Sequence, residues 1–313
     1  QRPFDTGTST LQAANIWVAV ILAFGAAGLM ARYNLRRGEG DRSHATRLSV
    51  FFVVTGVLSS FLRGHHVPVA VEELTFLFPA TGWSLVWGAF VWLIYVGLEP
   101  HVRRMWPNTL ASWTSLLSGR WRDPLLGRDL LVGSAVGVAL ALARFLFTDE
   151  PQSNDVTIRA LESLRSAPAF LHGVLLNLLN APSHALGGLF FLLLLRGIFR
   201  NTWVAVVVLC LAFLPYVSGG TAFLSWQISA YTLFICSVSM LLCLRVGIVA
   251  FVSSLFAQLC LTRFPLTADV NAWYFERSAL ILLLLAILAT YGCAIALGPG
   301  MLAPDVTRRG PHQ

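Results

Sequence analysis

Lysine is absent: all 22 basic residues of this 313-residue chain are arginine. That removes the phosphate-gripping lysine of Walker-type and kinase-type sites, the Schiff base and the lysine general base. Charge of either sign is scarce, at 12% of residues, where a soluble domain carries roughly 25%. No CxxC pair occurs among the five cysteines, Cys210, Cys236, Cys243, Cys260 and Cys293. Each sits in an apolar run and reads as a small buried hydrophobe, with a metal site as the weaker alternative. Neither GxSxG nor HExxH is present, so the familiar nucleophile and zinc-protease signatures are missing. No carboxylate falls deep in an apolar run and no internal repeat shows, which weighs against a transporter. These absences predict a protein that is not an enzyme, with no catalytic residue, no metal and no cofactor.

What is present is apolar length. Hydrophobic residues make up 56% and the mean hydropathy is +0.70. Runs of about 18 or more apolar residues recur throughout, the signature of an all-α, polytopic integral membrane bundle with added interfacial helices. Nine spans are read, near 15–33, 47–62, 75–98, 130–147, 170–195, 202–219, 221–244, 246–262 and 279–298. They divide the chain into an N-terminal tail (1–14), a membrane domain (15–298) and a C-terminal tail (299–313). The stretch 167–200 is too long for one simple span. Pro182 is expected to break it, leaving 170–181 flat or re-entrant. Gln1 is not an initiating residue, so the chain reads as processed, truncated or part of something longer. The first run lacks a basic flank and does not read as a signal peptide.

Arginine placement predicts orientation. With the amino terminus outside, 15 arginines fall in inward segments and 7 in outward ones, while nine acidic residues lean outward against six inward. This pattern matches the positive-inside rule and puts the C-terminal TRRGPHQ in the cytoplasm. The net charge of +7 then reads as cytoplasmic loops meeting anionic lipid headgroups rather than nucleic acid.

The densest charge lies in the inward loop 99–129, which ends in GRWRDPLLGRD (119–129). Leu110, Trp113, Leu116 and Leu117 recur at helical spacing, so this segment is expected to lie in the interface with Trp113 at headgroup depth. Trp106 and Trp121 flank it. Asp123 followed by Pro124 reads as an N-cap and N1 pair opening the next helix. Arg103, Arg104, Arg120, Arg122 and Arg128 can meet lipid phosphates, a partner, or the aspartates Asp123 and Asp129. The loop is therefore either a solvated topology signal or a docking surface.

Other features stay open in the same way. His65 and His66 with Glu72 and Glu73, in the outward loop 63–74, suit a polar loop cap or a zinc ion. His172 and His184 read as hydrogen-bonded packing residues, or as axial ligands to haem or chlorophyll. Arg144 near an outer span end can snorkel or pair with Asp149 or Glu150. Gly133, Gly137 and Ala141 form a small-residue face, as Gly25 to Gly28 do less cleanly, for packing inside the chain or against another subunit. The outward loops 148–168 and 263–278 complete the exposed segments, the second rich in aromatic residues.

Several patches taken together are familiar: RYNLRRGEGDR (32–42), RGHHV (63–67), LEPHVRRMWPNTLASWTSLLSGRWRDPLLGRDLLVG (98–133) and FPLTADVNAWYFERSALILLLLAILATYGCAIALG (264–298). This set resembles the carboxy-terminal multi-pass membrane region of acidobacterial-type transmembrane serine/threonine protein kinases, over most of residues 30–298. LEPHVRRMWP and GRWRDPLLGRD are the most specific patches. The resemblance implies a bacterial cytoplasmic membrane location and a cytoplasmic kinase domain preceding this region. No glycine-rich phosphate loop, HRD or DFG occurs here, so kinase activity attaches to no residue of this chain. The expected function is a non-catalytic membrane module of a kinase-like receptor, serving anchoring, sensing or coupling. The alternative is an accessory subunit of a larger membrane complex, for instance photosynthetic or respiratory, docking helices, lipids or pigments. Transport is third. Partners are expected among membrane lipids, other membrane subunits or a cytoplasmic effector.

Overall fold

Apolar sequence in a lipid setting leaves backbone groups nothing to bond but each other, and the helix is the local solution. In the computed structural model the described residues are 6–64, 66–147, 154–217 and 226–302, and every regular element among them is helical. These are α1 (Thr6–Arg36), α2 (Arg42–Arg63), α3 (Ala70–Met105), a 3-10 turn (Pro107–Leu110), α4 (Ala111–Leu117), α5 (Pro124–Phe147) and α6 (Asn154–Arg165). They continue with α7 (Ala167–Phe199), α8 (Thr202–Val217), α9 (Trp226–Arg245), α10 (Ile248–Arg263) and α11 (Phe275–Leu302).

Among the described residues, six helices are long and apolar enough to cross a membrane: Arg42–Arg63, Ala70–Met105, Pro124–Arg144, Ala167–Phe199, Trp226–Arg245 and Phe275–Leu297. Thr202–Leu214 and Ile248–Arg263 are apolar but shorter. The chain is therefore a multi-pass helical membrane protein, with six such helices by length and composition against the nine spans read from hydropathy.

Three boundaries differ from the sequence reading. Pro182 does not break α7, which runs unbroken from Ala167 to Phe199. A proline removes one backbone donor, but Ala181, Pro182 and Ala185 are buried, and packing of that face against its neighbours outweighs the lost bond. For the same reason α3 continues through Pro100 to Met105, so the first seven residues of the expected loop 99–129 are helical. The stretch 148–168, expected as a loop, holds helix α6, whose sequence places hydrophobic and polar residues on opposite faces, as in a helix lying at an interface; residues 148–153 lie outside the described ones. The tail residues 1–5 and 303–313 also lie outside them, with Arg2, Arg308 and Arg309.

Helix packing follows small residues. α3 packs against α1, α2 and α7, and α5 lies between α10 and α11. A methyl group on Gly133 would run into the Ala250 carbonyl and the Ser253 hydroxyl, and one on Gly137 into the Ser254 carbonyl. Ala141 is also buried. The small-residue face of α5 is thus used inside the chain, against α10, where close backbone approach needs it. Gly25 and Gly28 of α1 meet nothing within 4 Å. Of the cysteines, Cys210, Cys243 and Cys260 are buried, Cys236 is half-buried and Cys293 is exposed on α11.

Candidate functional site: the arginine-rich end

Side chains from distant parts of the chain meet at one end of the bundle. Asn34 of α1 is fully buried, and its Nδ2 donates to the Val96 and Gly97 carbonyls of α3, both at 2.9 Å. Glu39 bonds Arg104 at 2.7 Å. Glu99 is 2% exposed and holds Arg103 at 2.6 Å across one helical turn. The Arg196 guanidinium of α7 stacks over Trp106 at 5.2 Å and its Nε lies 3.0 Å from Met105 Sδ. Arg103, Arg104 and Trp106 are therefore engaged within the chain.

The segment 107–123 packs against this end of the bundle. Leu110 and Trp113 are 2% and 3% exposed and belong to the main core, with Leu116 and Leu117 packed against it. Trp113 therefore packs against protein, where the sequence led us to expect an indole facing lipid headgroups. The helical stripe was real, but it found the ends of α3, α5, α9 and α10, and a buried protein surface excludes water on all sides of an indole where the interface excludes it on one. From α2, Arg47 Nη1 donates to the Leu117 carbonyl at 2.7 Å, and His44 Nε2 lies 3.0 Å from Ser118 Oγ.

The return into α5 is built on Asp123. Its Oδ1 accepts the Leu125 amide at 3.0 Å, as the Asp-Pro pair predicts for a helix start. Its Oδ2 accepts the Ser115 hydroxyl at 2.6 Å, and Arg120 Nη2 donates to Ser115 Oγ at 3.1 Å. The Ser115 hydroxyl bond chiefly, with the Leu125 amide and Arg120, holds the Asp123 carboxyl below its ordinary range. Asp129, 1% exposed, takes two bonds from Arg128 on Oδ1, at 3.1 and 2.8 Å. Its other oxygen faces the start of α10 at Gly247. A side chain there would begin 3.1 Å from Asp129 Oδ2 and 3.4 Å from Ser112 Oγ, and its φ of +149° also requires glycine. The carboxylate thus lies beside the positive end of α10. Trp121 and Arg122 stay exposed, with the Trp121 carbonyl bonded by the Tyr291 hydroxyl of α11 at 3.1 Å.

The opposite end is held by simpler contacts. His66 Nδ1 lies 2.9 Å from Glu73 Oε2 and its Nε2 lies 2.8 Å from the Phe61 carbonyl, while the Val67 amide donates to Glu73 Oε1 at 2.8 Å. That is a loop cap. Among the described residues no group of three His, Cys, Asp or Glu side chains is placed to hold a metal; His65 lies outside them. His172 Nδ1 bonds Ser59 of α2, and His184 Nδ1 bonds the Asn180 carbonyl one turn back. A cavity of about 40 Å³ between α6, α7 and α10 is lined by Glu162, His172, Asn177 and Arg263 among others, room for a few waters. Arg144 occupies the last turn of α5, and its expected partners Asp149 and Glu150 lie outside the described residues.

Sequence reasoning missed Asn34, Glu99 and Gly247. Each had a signal: a polar residue closing an apolar run, a carboxylate one residue beyond a span, and a glycine at the start of a span. The fold and this site define an all-helical, multi-pass membrane protein with a folded, arginine-rich cap at one end. No protein-family model, curated protein or solved structure matches the chain.

Proposed function

We propose that the chain is the non-catalytic membrane module of a kinase-like receptor, with the arginine-rich cap facing a cytoplasmic effector. One observation carries the reading. The cap is fastened to α2, α7 and α11, through Arg47, Arg196 and Tyr291, yet it leaves Trp121 and Arg122 exposed on its rim. A rigid cap on continuous helices suits coupling between the two faces of a membrane, and an aromatic–arginine pair suits a protein contact. In this reading α1, α8 and α10 join the six helices above to make nine crossings. The amino terminus then lies outside, in a bacterial cytoplasmic membrane. The test is the double substitution Trp121→Ala with Arg122→Gln, which touches none of the fastening side chains. Loss of the co-purifying cytoplasmic partner with an unchanged melting temperature supports the reading; retention of that partner at wild-type ratio sinks it.

A second reading rests on α1. Its outward face carries Ile21, Leu22, Gly25, Gly28 and Leu29, with open space over both glycines. This suits a helix of another subunit in a larger complex. Site-specific crosslinking from Gly25 to another membrane protein would favour it; labelling by lipid alone would not.

A further inference from the structure

The start of α2 carries a feature that the cap does not absorb. Arg42, Ser43, Thr46, Arg47 and Val50 line an open recess of about 580 Å³. All five are exposed. Ser43, Arg47 and Val50 stand three and four apart on one helical face, with Thr46 beside them. Among the described residues neither Arg42 nor Arg47 forms an ion pair, whereas Arg103, Arg104 and Arg128 each do. The face continues along α2 as Val54, Leu58 and Phe61, exposed at 59%, 46% and 46%. Trp92 of α3 donates its Nε1 proton to Thr46 Oγ1 at 3.3 Å.

We infer that this recess is a binding site for one anionic phospholipid. Two guanidinium groups and two hydroxyls at the polar end match a phosphodiester, which offers acceptor oxygens and no donor. The apolar strip below matches an acyl chain, and the order from charge to apolar surface is that of a lipid entering a bilayer. A free phosphate would leave the strip unused. Arg47 gives one donor to the Leu117 carbonyl, and its fork carries five in all, so the side chain that grips the lipid also holds α4. Lipid occupancy therefore tightens the cap. The inference does not depend on what the module serves.

The experiment uses the purified chain in a neutral detergent, titrated with phosphatidylglycerol, phosphatidylcholine or inorganic phosphate, with lipid counted by native mass spectrometry and stability by melting temperature. Wild type retains one phosphatidylglycerol and melts higher with it, and neither phosphatidylcholine nor phosphate reproduces the shift. Arg42→Gln, which breaks no internal bond, weakens retention about fivefold, and adding Arg47→Gln about fivefold again. Arg200→Gln, an exposed arginine at another helix end, leaves it unchanged. Equal retention in the double variant overturns the site. So does an equal loss with Arg200→Gln, which marks diffuse attraction, or equal stabilisation by inorganic phosphate, which marks an ion site. None of these outcomes bears on the Trp121 and Arg122 test.

Discussion

Replacing Trp113 by alanine separates a folded cap from a segment lying among lipid headgroups. Trp113 is 3% exposed and packs in the same core as Leu98, Leu110 and Ile248. Removing a buried tryptophan to alanine costs about 3–5 kcal/mol, from lost burial and the cavity left behind. Trp121, 59% exposed, changes stability by about 0.5 kcal/mol or less when replaced. Phenylalanine refines the test. The Trp113 Nε1 atom has no hydrogen-bond partner among the described residues, so Trp113→Phe gives up volume but no hydrogen bond, and costs less than the alanine change because the cavity left is smaller. The assay is unfolding in mixed micelles by increasing dodecyl sulfate, followed by circular dichroism. The account predicts the order alanine at 113, phenylalanine at 113, alanine at 121, from most to least destabilising. If Trp113→Ala is no more harmful than Trp121→Ala, the cap is not folded as described.

Three further outcomes follow from the same contacts. Gly133→Ala lowers stability by about 1–3 kcal/mol through overpacking against α10, while Gly28→Ala, in open space, raises it by roughly 0.5–1 kcal/mol; the same micelle unfolding reads both, and equal signs would contradict the packing. The bond to Glu73 chiefly raises the His66 pKa above its usual 6.5. Its contribution to the loop between α2 and α3 is therefore full below 6.5 and lost as pH rises through the raised value; hydrogen exchange of residues 64–69 across that window shows the loss, and Glu73→Gln flattens it. The Ser115 hydroxyl chiefly lowers the Asp123 pKa, so Asp123 stabilises the cap above its usual 3.8 and loses that effect as pH falls through the lowered value; in Ser115→Ala the loss moves to higher pH, as seen in acid unfolding curves.

Helical class and membrane character were legible because apolar periodicity and run length report directly on burial. The Asp123–Pro124 start of α5 was legible because capping is local. The helical stripe of Leu110, Trp113, Leu116 and Leu117 was legible as a stripe, but not its destination: lipid and protein interior both reward apolar surface. Pro182 misled for a related reason, since tertiary packing kept α7 helical where local chemistry predicts a break. The pairings Glu39–Arg104, Arg196–Trp106 and Asp129–Gly247 join residues far apart in sequence, and no single-chain pattern announces them. Glu99 was legible as a carboxylate at a span end, yet only the extension of α3 to Met105 makes it buried.

The most direct measurement of the central reading is mass spectrometry of the natively solubilised particle, taking the intact mass of this chain with the identity and ratio of whatever travels with it. The account predicts a polypeptide far heavier than 34.2 kDa that yields kinase-domain peptides together with the residues described above. A chain near 34.2 kDa, held at fixed ratio to unrelated membrane proteins, would contradict it and make the chain an accessory subunit.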